Sequence, residues 1–440
     1  MKYFTYKIAF LFSFWLLQSC GPNGKETLFT VVPASRSGLD FNNALFENDS
    51  INILDNEFVY NGAGVAIADV NNDGLDDIFL TGNQVENRLF LNHGNLKFKD
   101  ISLTAGIKKP DSLMWSSGVS IIDINADGYQ DIYICNTFRK DSALRKNLLY
   151  INQGMDEKGV PRFLEQAKKY GVDNSTYSSH AQFFDYDLDG DLDLFIGVNR
   201  IEGINPNQFS PLTDDGSSLS KDVLYENVFD DGLQEIRFVD RSDRAGIRFH
   251  GYSHSTLIYD FNDDGWPDIY VANDFLSNDL LYFNNTDGTF TNSAGEVFKH
   301  FSLSSMGSDI TDVDNDGRMD LFTTEMQPYY NKRKKLFQGP SSYQKEIFTR
   351  KYQYAHQYTR NTLQQNLGKN PETKLPIFGD IGMFSGVKET DWSWAPLFVD
   401  VDNNGWKDLL ITNGFPKDVT DRDFGDFRVT ASKILTKENL

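Results

Sequence analysis

The sequence predicts an all-β protein, a β-propeller of four-stranded blades whose strand-loop-strand hairpins hold calcium. Three observations predict it. The nonapeptide D-x-[DN]-x-[DN]-G-x-x-D occurs six times, short runs of β-branched and aromatic residues flank each copy, and a second strand-like skeleton follows most copies.

The chain begins as an export signal. Lys2 and Lys7 precede the apolar run "IAFLFSFWLL" (8–17), which is too short to span a bilayer, and "LQSC" closes it at Cys20. This stretch resembles a bacterial lipoprotein signal (1–19) whose cleavage leaves Cys20 to carry lipid. A plain signal peptide with Cys20 as a bystander is the alternative. Residues 20–27 then form a lipidated tether, and an outer-membrane or cell-surface location is expected. Cys135 is the one other cysteine, so an intrachain disulfide is excluded for the mature chain and a buried thiol in "DIYICN" is expected. A net charge of −21 argues against nucleic acid as a general partner, since backbone binding relies on clustered Lys and Arg. An aromatic content of 14% supplies a core that a disordered acidic chain would lack.

The six acidic loops share one ligand geometry. In "DVNNDGLDD" (69–77) the side chains of Asp69, Asn71, Asp73 and Asp77 and the carbonyl of Leu75 face inward. "DINADGYQD" (123–131) offers Asp123, Asn125, Asp127, Asp131 and the Tyr129 carbonyl. "DYDLDGDLD" (185–193) offers Asp185, Asp187, Asp189 and Asp193, with Asp191 at the carbonyl position. "DFNDDGWPD" (260–268) offers Asp260, Asn262, Asp264, Asp268 and the Trp266 carbonyl. "DVDNDGRMD" (312–320) offers Asp312, Asp314, Asp316, Asp320 and the Arg318 carbonyl, and "DVDNNGWKD" (400–408) offers Asp400, Asp402, Asn404, Asp408 and the Trp406 carbonyl. Alternating oxygen ligands with a Gly for the turn suit a hard cation, and an all-protein oxygen cage favours Ca²⁺ over Mg²⁺, at about six sites. An EF-hand is excluded because the twelfth position, which needs a Glu on an exiting helix, is Leu80, Ile134, Ile196, Val271, Thr323 and Ile411.

Behind the loops recurs a short strand ending in Asn, a Gly-containing turn, a strand starting at Phe, and A-G-[IV], as in "NRLFLNHGNLKFKDISLTAGI". With the two strands around the loop this makes four strands per unit. Loop starts 54, 62, 75, 52 and 88 residues apart fit propeller blades with insertions.

The loops resemble the FG-GAP or VCBS repeats of integrin α-chain propellers. The order of the landmarks "LFTVVPASRSGLDF" (28–41), "DWSWAPLFVDVDNNGWKDLLITNG" (391–414) and "DVTDRDF" (418–424) is similar to the N-terminal region of ASPIC/UnbV-type bacterial lipoproteins, related to cartilage acidic protein. The resemblance implies a calcium-binding propeller and supplies no catalytic residues.

On this reading the propeller covers 28–424. Residues 28–41 match the outermost strand of a unit and arrive before the first loop, whereas loop six is followed by its exit strand and a tail (425–440) without third and fourth strands. An unfinished, truncated seven-bladed ring and a six-bladed closure with a shortened last blade both remain open. Residues 325–370 interrupt the repeat with basic and aromatic residues; a helical insertion capping one face is expected, with stacking on nucleic acid the weaker reading and polyanionic glycans still open.

No nucleophile elbow, H-E-x-x-H or phosphate-binding loop is present. The leading reading is a non-catalytic, membrane-anchored binding or adhesion module for a glycan or protein. A carbohydrate-active enzyme with an acidic site at the channel mouth is the alternative. The eighth residue before the first Asp of a loop is Trp115, Tyr177, Tyr252 or Trp392 in four units, with His180 and His254 nearby. If the strand entering each loop is innermost, these residues gather at one channel rim, as a ligand platform or as packing wedges between blades.

Overall fold

The computed structural model describes residues 27–54, 56–200, 205–230, 232, 235–337 and 343–434; the expected export signal, Cys20 and the expected tether up to residue 26 lie outside them. Five four-stranded antiparallel sheets follow one another in the chain, blades 1 to 5, at 65–100, 115–165, 178–240, 253–292 and 308–380, and a two-stranded blade 6 spans 393–413. Within each sheet the strands stand in sequence order, so each acidic loop joins the first two strands. In blade 2, for example, Trp115–Ile122 enters the loop and Asp131–Thr137 leaves it, with Ile122 opposite Asp131.

The first strands stand side by side around a channel. The Gly64 N–H donates to Ser117 O (2.8 Å), Ser117 Oγ to Ser178 O (2.9 Å) and Ser179 Oγ to Ser253 O (2.8 Å). Gly118 is required here, because a Cβ would lie 2.6 Å from Ser179 O.

Between blades the core repeats. The second residue after each loop is Phe79, Tyr133, Phe195, Tyr270 or Phe322, all at most 1% exposed and each packed toward the following blade. Burying such a ring contributes roughly 1.5–3 kcal/mol, so these five seams supply much of the driving force. Leu410 holds the same place in blade 6 and is 37% exposed, as are Leu397 beside it (53%) and, on the opposite face of the gap, Val65 (62%) and Ile67 (63%) of blade 1. Closure of a six-bladed ring by packing the short blade on blade 1 would bury these four. Blades 6 and 1 instead communicate at the channel mouth, where Phe415 meets Tyr60 edge-on (5.3 Å) and Lys417 pairs with Glu47.

Residues 28–33 form no strand, contrary to the sequence expectation, because no third strand lies beside them to pair with. The rest of that unit end is present. Ala34–Ser37 is a helical turn closed by Gly38 in the left-handed region, where a Cβ would meet Phe98 O at 2.2 Å, as Gly106 faces Phe163 O and Gly246 faces Phe290 O. The A-G-[IV] signal therefore caps the outer strand of the next blade. The insertion after blade 5's second strand holds the helices Asn331–Leu336 and Tyr343–Lys351, and it ends before 370, since Thr362–Lys369 is already the third strand. Part of the expected tail is helical, Arg422–Ile434. Cys135 is fully buried and unpaired, and its burial raises the thiol pKa.

Candidate functional sites: acidic loops and channel mouth

All six loops fold alike. The first Asp accepts the N–H of position 5 on one oxygen and the Gly N–H of position 6 on the other, as Asp69 does from Asp73 (3.1 Å) and Gly74 (2.7 Å) and Asp400 does from Asn404 (3.0 Å) and Gly405 (2.8 Å). Position 5 accepts the N–H of position 7, so Leu75, Tyr129, Asp191, Trp266, Arg318 and Trp406 are all pinned in the same way. Besides the expected Gly, position 4 is left-handed in every loop, with φ of 54° at Ala126 and 57° at Leu188. Such residues pay about 1–2 kcal/mol for that conformation, which the loop's hydrogen bonds must outweigh.

The Asp at position 9 has a role the spacing did not foretell. In blades 1 to 5 its two oxygens accept the N–H of position 2 and the N–H of an Asn in the third strand: Asp131 accepts from Ile124 (3.1 Å) and Asn152 (2.7 Å), Asp268 from Phe261 and Asn284 (both 2.9 Å). In blades 2 and 4 that Asn also donates its side-chain N–H to the preceding blade, Asn152 to Val70 O and Asn284 to Tyr186 O, while Asn92 and Asn227 donate to their own loops, at Asp76 O and Leu192 O. Burial raises Asp131 and Asp268 to about 7 and Asp193 to about 8; the two backbone N–H groups oppose this, and neighbouring loop carboxylates add to it.

The donor set fits a hard cation. The carboxylate oxygens of Asp185, Asp187 and Asp193, of Asp312, Asp314 and Asp316, and of Asp400, Asp402 and Asp408 each converge within 4.8 Å. Oxygens of Asp187, Asp191 and Asn262 accept no hydrogen bond.

The opposite end of the channel carries a different chemistry. Eight residues before each loop stand Asn61, Trp115, Tyr177, Tyr252, Ser304 and Trp392, and all six line one of three adjoining cavities of about 650, 610 and 400 Å³. Trp115 and Tyr177 line the first with His254, Trp392 lines the second with His254, and Tyr252 lines the third. The four aromatics are only 2–8% exposed: Trp115 stacks on Phe138 (4.2 Å), Tyr252 meets Phe275 edge-on (5.2 Å) and Trp392 stacks on Phe415 (4.0 Å). They wedge the packing and present an edge to the cavities. His180 lies deeper, with Nε2 2.6 Å from Thr256 Oγ1; burial, then the charge of His254, lowers its pKa to about 4.

Sequence reasoning missed the polar heart of the second cavity. Glu325 and Asp274, fully and nearly fully buried, line it with Lys345 and the half-buried Trp394. Among the described residues, both carboxylate oxygens of Glu325 lack a hydrogen-bond partner, as do His254 Nε2 and Trp392 Nε1, so unsatisfied donors and acceptors converge on one aromatic-walled space. His254 Nε2 stands 3.5 Å from Asp274. Burial raises Glu325 to about 8; the Met326 and Gln327 amides and Lys345 pull the other way, while Asp274 adds to the rise. Burial likewise lowers Lys345 to about 8, against the attraction of Glu325.

A raised carboxyl destabilises the fold only when it is ionised. The cost is absent below the unfolded value near 4.5, grows through neutral pH and is complete above about 8. Glu325→Gln is therefore expected to stabilise the protein at pH 8.5, on the order of a few kcal/mol less what Lys345 loses with its partner, and to change nothing at pH 4. Denaturant titrations at the two pH values in excess calcium check this; equal stabilities at pH 8.5 would count against a buried, poorly compensated carboxyl.

The sequence profile of the FG-GAP-like repeat matches residues 50–134 and 260–323, so the chain carries FG-GAP-like repeats. The finer likeness to ASPIC/UnbV-type proteins rests on residues outside those stretches. No curated protein matches the chain. Similar solved structures include an Agrocybe aegerita lectin that recognises non-reducing terminal N-acetylglucosamine (14% identity over 79% of this chain and 73% of that one, TM-score 0.40). A rhamnogalacturonan lyase (12%, 80% and 55%, TM-score 0.37) and a Trypanosoma rangeli sialidase in complex with sialic acid (10%, 84% and 56%, TM-score 0.36) are also similar. The chain spans just over half the length of the last two, and TM-scores this low assign no function.

Proposed function

We propose that this protein is a calcium-stabilised propeller that binds a glycan at the channel mouth without turning it over. The observation that carries the reading is the convergence of unsatisfied polar groups, Glu325, His254 Nε2 and Trp392 Nε1, in a cavity walled by aromatic rings. Sugars offer hydroxyls for such groups and apolar ring faces for the aromatics. Calcium at the six loops would act indirectly, holding the blades that carry the rim, because the loops lie at the far end of the inner strands, roughly 25 Å away for a strand of this length. Incubation with a glycan array tests the reading: retention with no release of reducing ends is expected, and an array with no retained glycan refutes it.

A second reading has one observation in its favour. Asp274 and Glu325 place two carboxyl groups outside the acidic loops in a single cavity, one of them with a strongly raised pKa, the arrangement a glycosidase needs.

The basic n-region, the apolar run and "LQSC" support lipid attachment at Cys20 and display on the outer membrane or cell surface. Several acyl chains on one Cys anchor stably where a single chain does not. Cys20→Ser is expected to move the protein from the membrane fraction to the soluble fraction; wild-type protein that is wholly soluble ends this part of the proposal.

A further inference from the structure

Glu325 occupies an exceptional place in the repeat. Five residues after the last Asp of a loop, blades 2, 4 and 6 carry Asn136, Asn273 and Asn413, and the backbone there is fixed in a recurrent way. Asn136 N–H donates to Asn147 Oδ1, Asn273 N–H to Asp279 Oδ1, and Glu325 N–H to Asn361 Oδ1 (2.7 Å). Where the Asn273 side chain is used up on the Tyr252 N–H and the Asn278 carbonyl, neither oxygen of Glu325 completes a hydrogen bond among the described residues, although the Met326 and Gln327 amides favour its charge. A fully buried carboxyl facing a cavity without a hydrogen bond costs free energy that folding does not recover, so its compensation is expected from a ligand.

The surroundings indicate which kind. Asp274 adds a second carboxylate to the same wall, and His254 is the group that faces it, at 3.5 Å. Phe58, Phe275 and Trp392 offer ring faces or edges, and Phe58 and Phe275 pack on each other at 5.7 Å. Among the described residues the chain itself sends one lysine here: the helix Tyr343–Lys351 brings Lys345 to the cavity wall, where the charge of Glu325 acts on it. A hydroxyl can donate once to Glu325, whereas an ammonium carries three donors and a charge, enough for both oxygens.

We propose that the glycan taken at the channel mouth carries a free amino group, and that its ammonium docks on Glu325 in competition with the ammonium of Lys345. This rests on the glycan reading above. Glu325 then selects the ligand, the aromatic walls hold the sugar rings, and Lys345 is the internal competitor that a ligand must displace. An N-acetylated sugar, lacking the charge, would leave Glu325 as poorly satisfied as before.

The test uses the calcium-loaded full chain on an array printed with matched free-amine and N-acetylated oligosaccharides of several linkages, with calorimetry on the best pair and on cadaverine, a diamine without sugar. The amine form is expected to bind at least tenfold tighter than its N-acetylated partner. Glu325→Gln should remove that preference by weakening the amine form far more than the N-acetylated form, and Lys345→Met should tighten amine binding several-fold. Equal binding of the pair by wild type, tighter binding of uronate-bearing glycans, or a preference that survives Glu325→Gln overturns the proposal and leaves the glycan reading standing. Cadaverine bound in a Glu325-dependent way with no glycan retained keeps the ammonium site and ends the glycan reading. Failure of every probe overturns both.

Discussion

Stripping calcium with a chelator is expected to lower the melting temperature by on the order of ten degrees or more. The structural reason is the charge of loops already folded into one shape. Asp185, Asp187 and Asp193 converge within 4.8 Å, Asp191 stands in the same loop, and the position-9 carboxylates of blades 1 to 5 are buried under the inner hairpins. A cation bound to the native state alone contributes about 2.7 kcal/mol per site at a hundredfold excess over its Kd, and six sites multiply that. The loops' own hydrogen bonds set a counterweight: the amides on Asp69 and Asp77 hold the first loop's geometry without any metal, so partial folding in chelator is compatible with the reading. Asp189→Ala, which removes a ligand and the acceptor for the Asp191 N–H, should cost far more than Asp214→Ala at an exposed site. Differential scanning fluorimetry with and without chelator checks both, and a calcium-dependent shift below about 2 °C would sink the metal reading.

The repeat was legible because its physics is local. A nine-residue loop needs its Gly at position 6 in a left-handed conformation, and the strands on either side alternate between two blades, so both leave a periodic trace in sequence. The rim was legible for the same reason: a fixed count back from each loop lands at the far end of the inner strand, and Asn61 and Ser304 obey it as well as the four aromatics. Glu325 and Asp274 escaped because the six acidic loops around them mask two more carboxyls by composition. Aligning the repeats on their last Asp would have exposed Glu325, since Asn fills its place in blades 2, 4 and 6. Lys345 and Phe58 reach the cavity from segments outside the repeat, and no periodicity could place them there. The outer strand expected within 28–41 failed for a tertiary reason: its sequence matches an outer strand, but an outer strand forms only against a third strand.

Trp394→Ala is expected to weaken glycan binding at least tenfold while leaving the melting temperature within a few degrees of wild type. Trp392, Trp394 and Phe415 form a stacked series in which Trp392 lies 4.0 Å from Phe415 and 6.3 Å from Trp394, and Trp394 is the half-buried member open to the cavity. Its fold contribution is modest, one hydrogen bond from Nε1 to Gly414 O (2.9 Å) and the outer face of the stack, whereas a ring stacked against a sugar contributes about 0.5–1.5 kcal/mol beyond its buried area. Truncating Trp392 together with Tyr252 would also reduce binding, but both are buried wedges, so that double variant confounds lost contact with lost packing. Turnover separates binder from enzyme. Hydrolysis would require Glu325 to give its proton to the glycosidic oxygen while Asp274 stays ionised to act on water or on the sugar, so it would fall in both Glu325→Gln and Asp274→Asn. A binder needs only the shape and the unsatisfied groups, and its affinity should track Trp394 whether or not any bond breaks. Retention lost in Trp394→Ala with no reducing ends released by wild type is the expected pair of results; reducing-end release abolished by either carboxyl variant would instead make this cavity an active site.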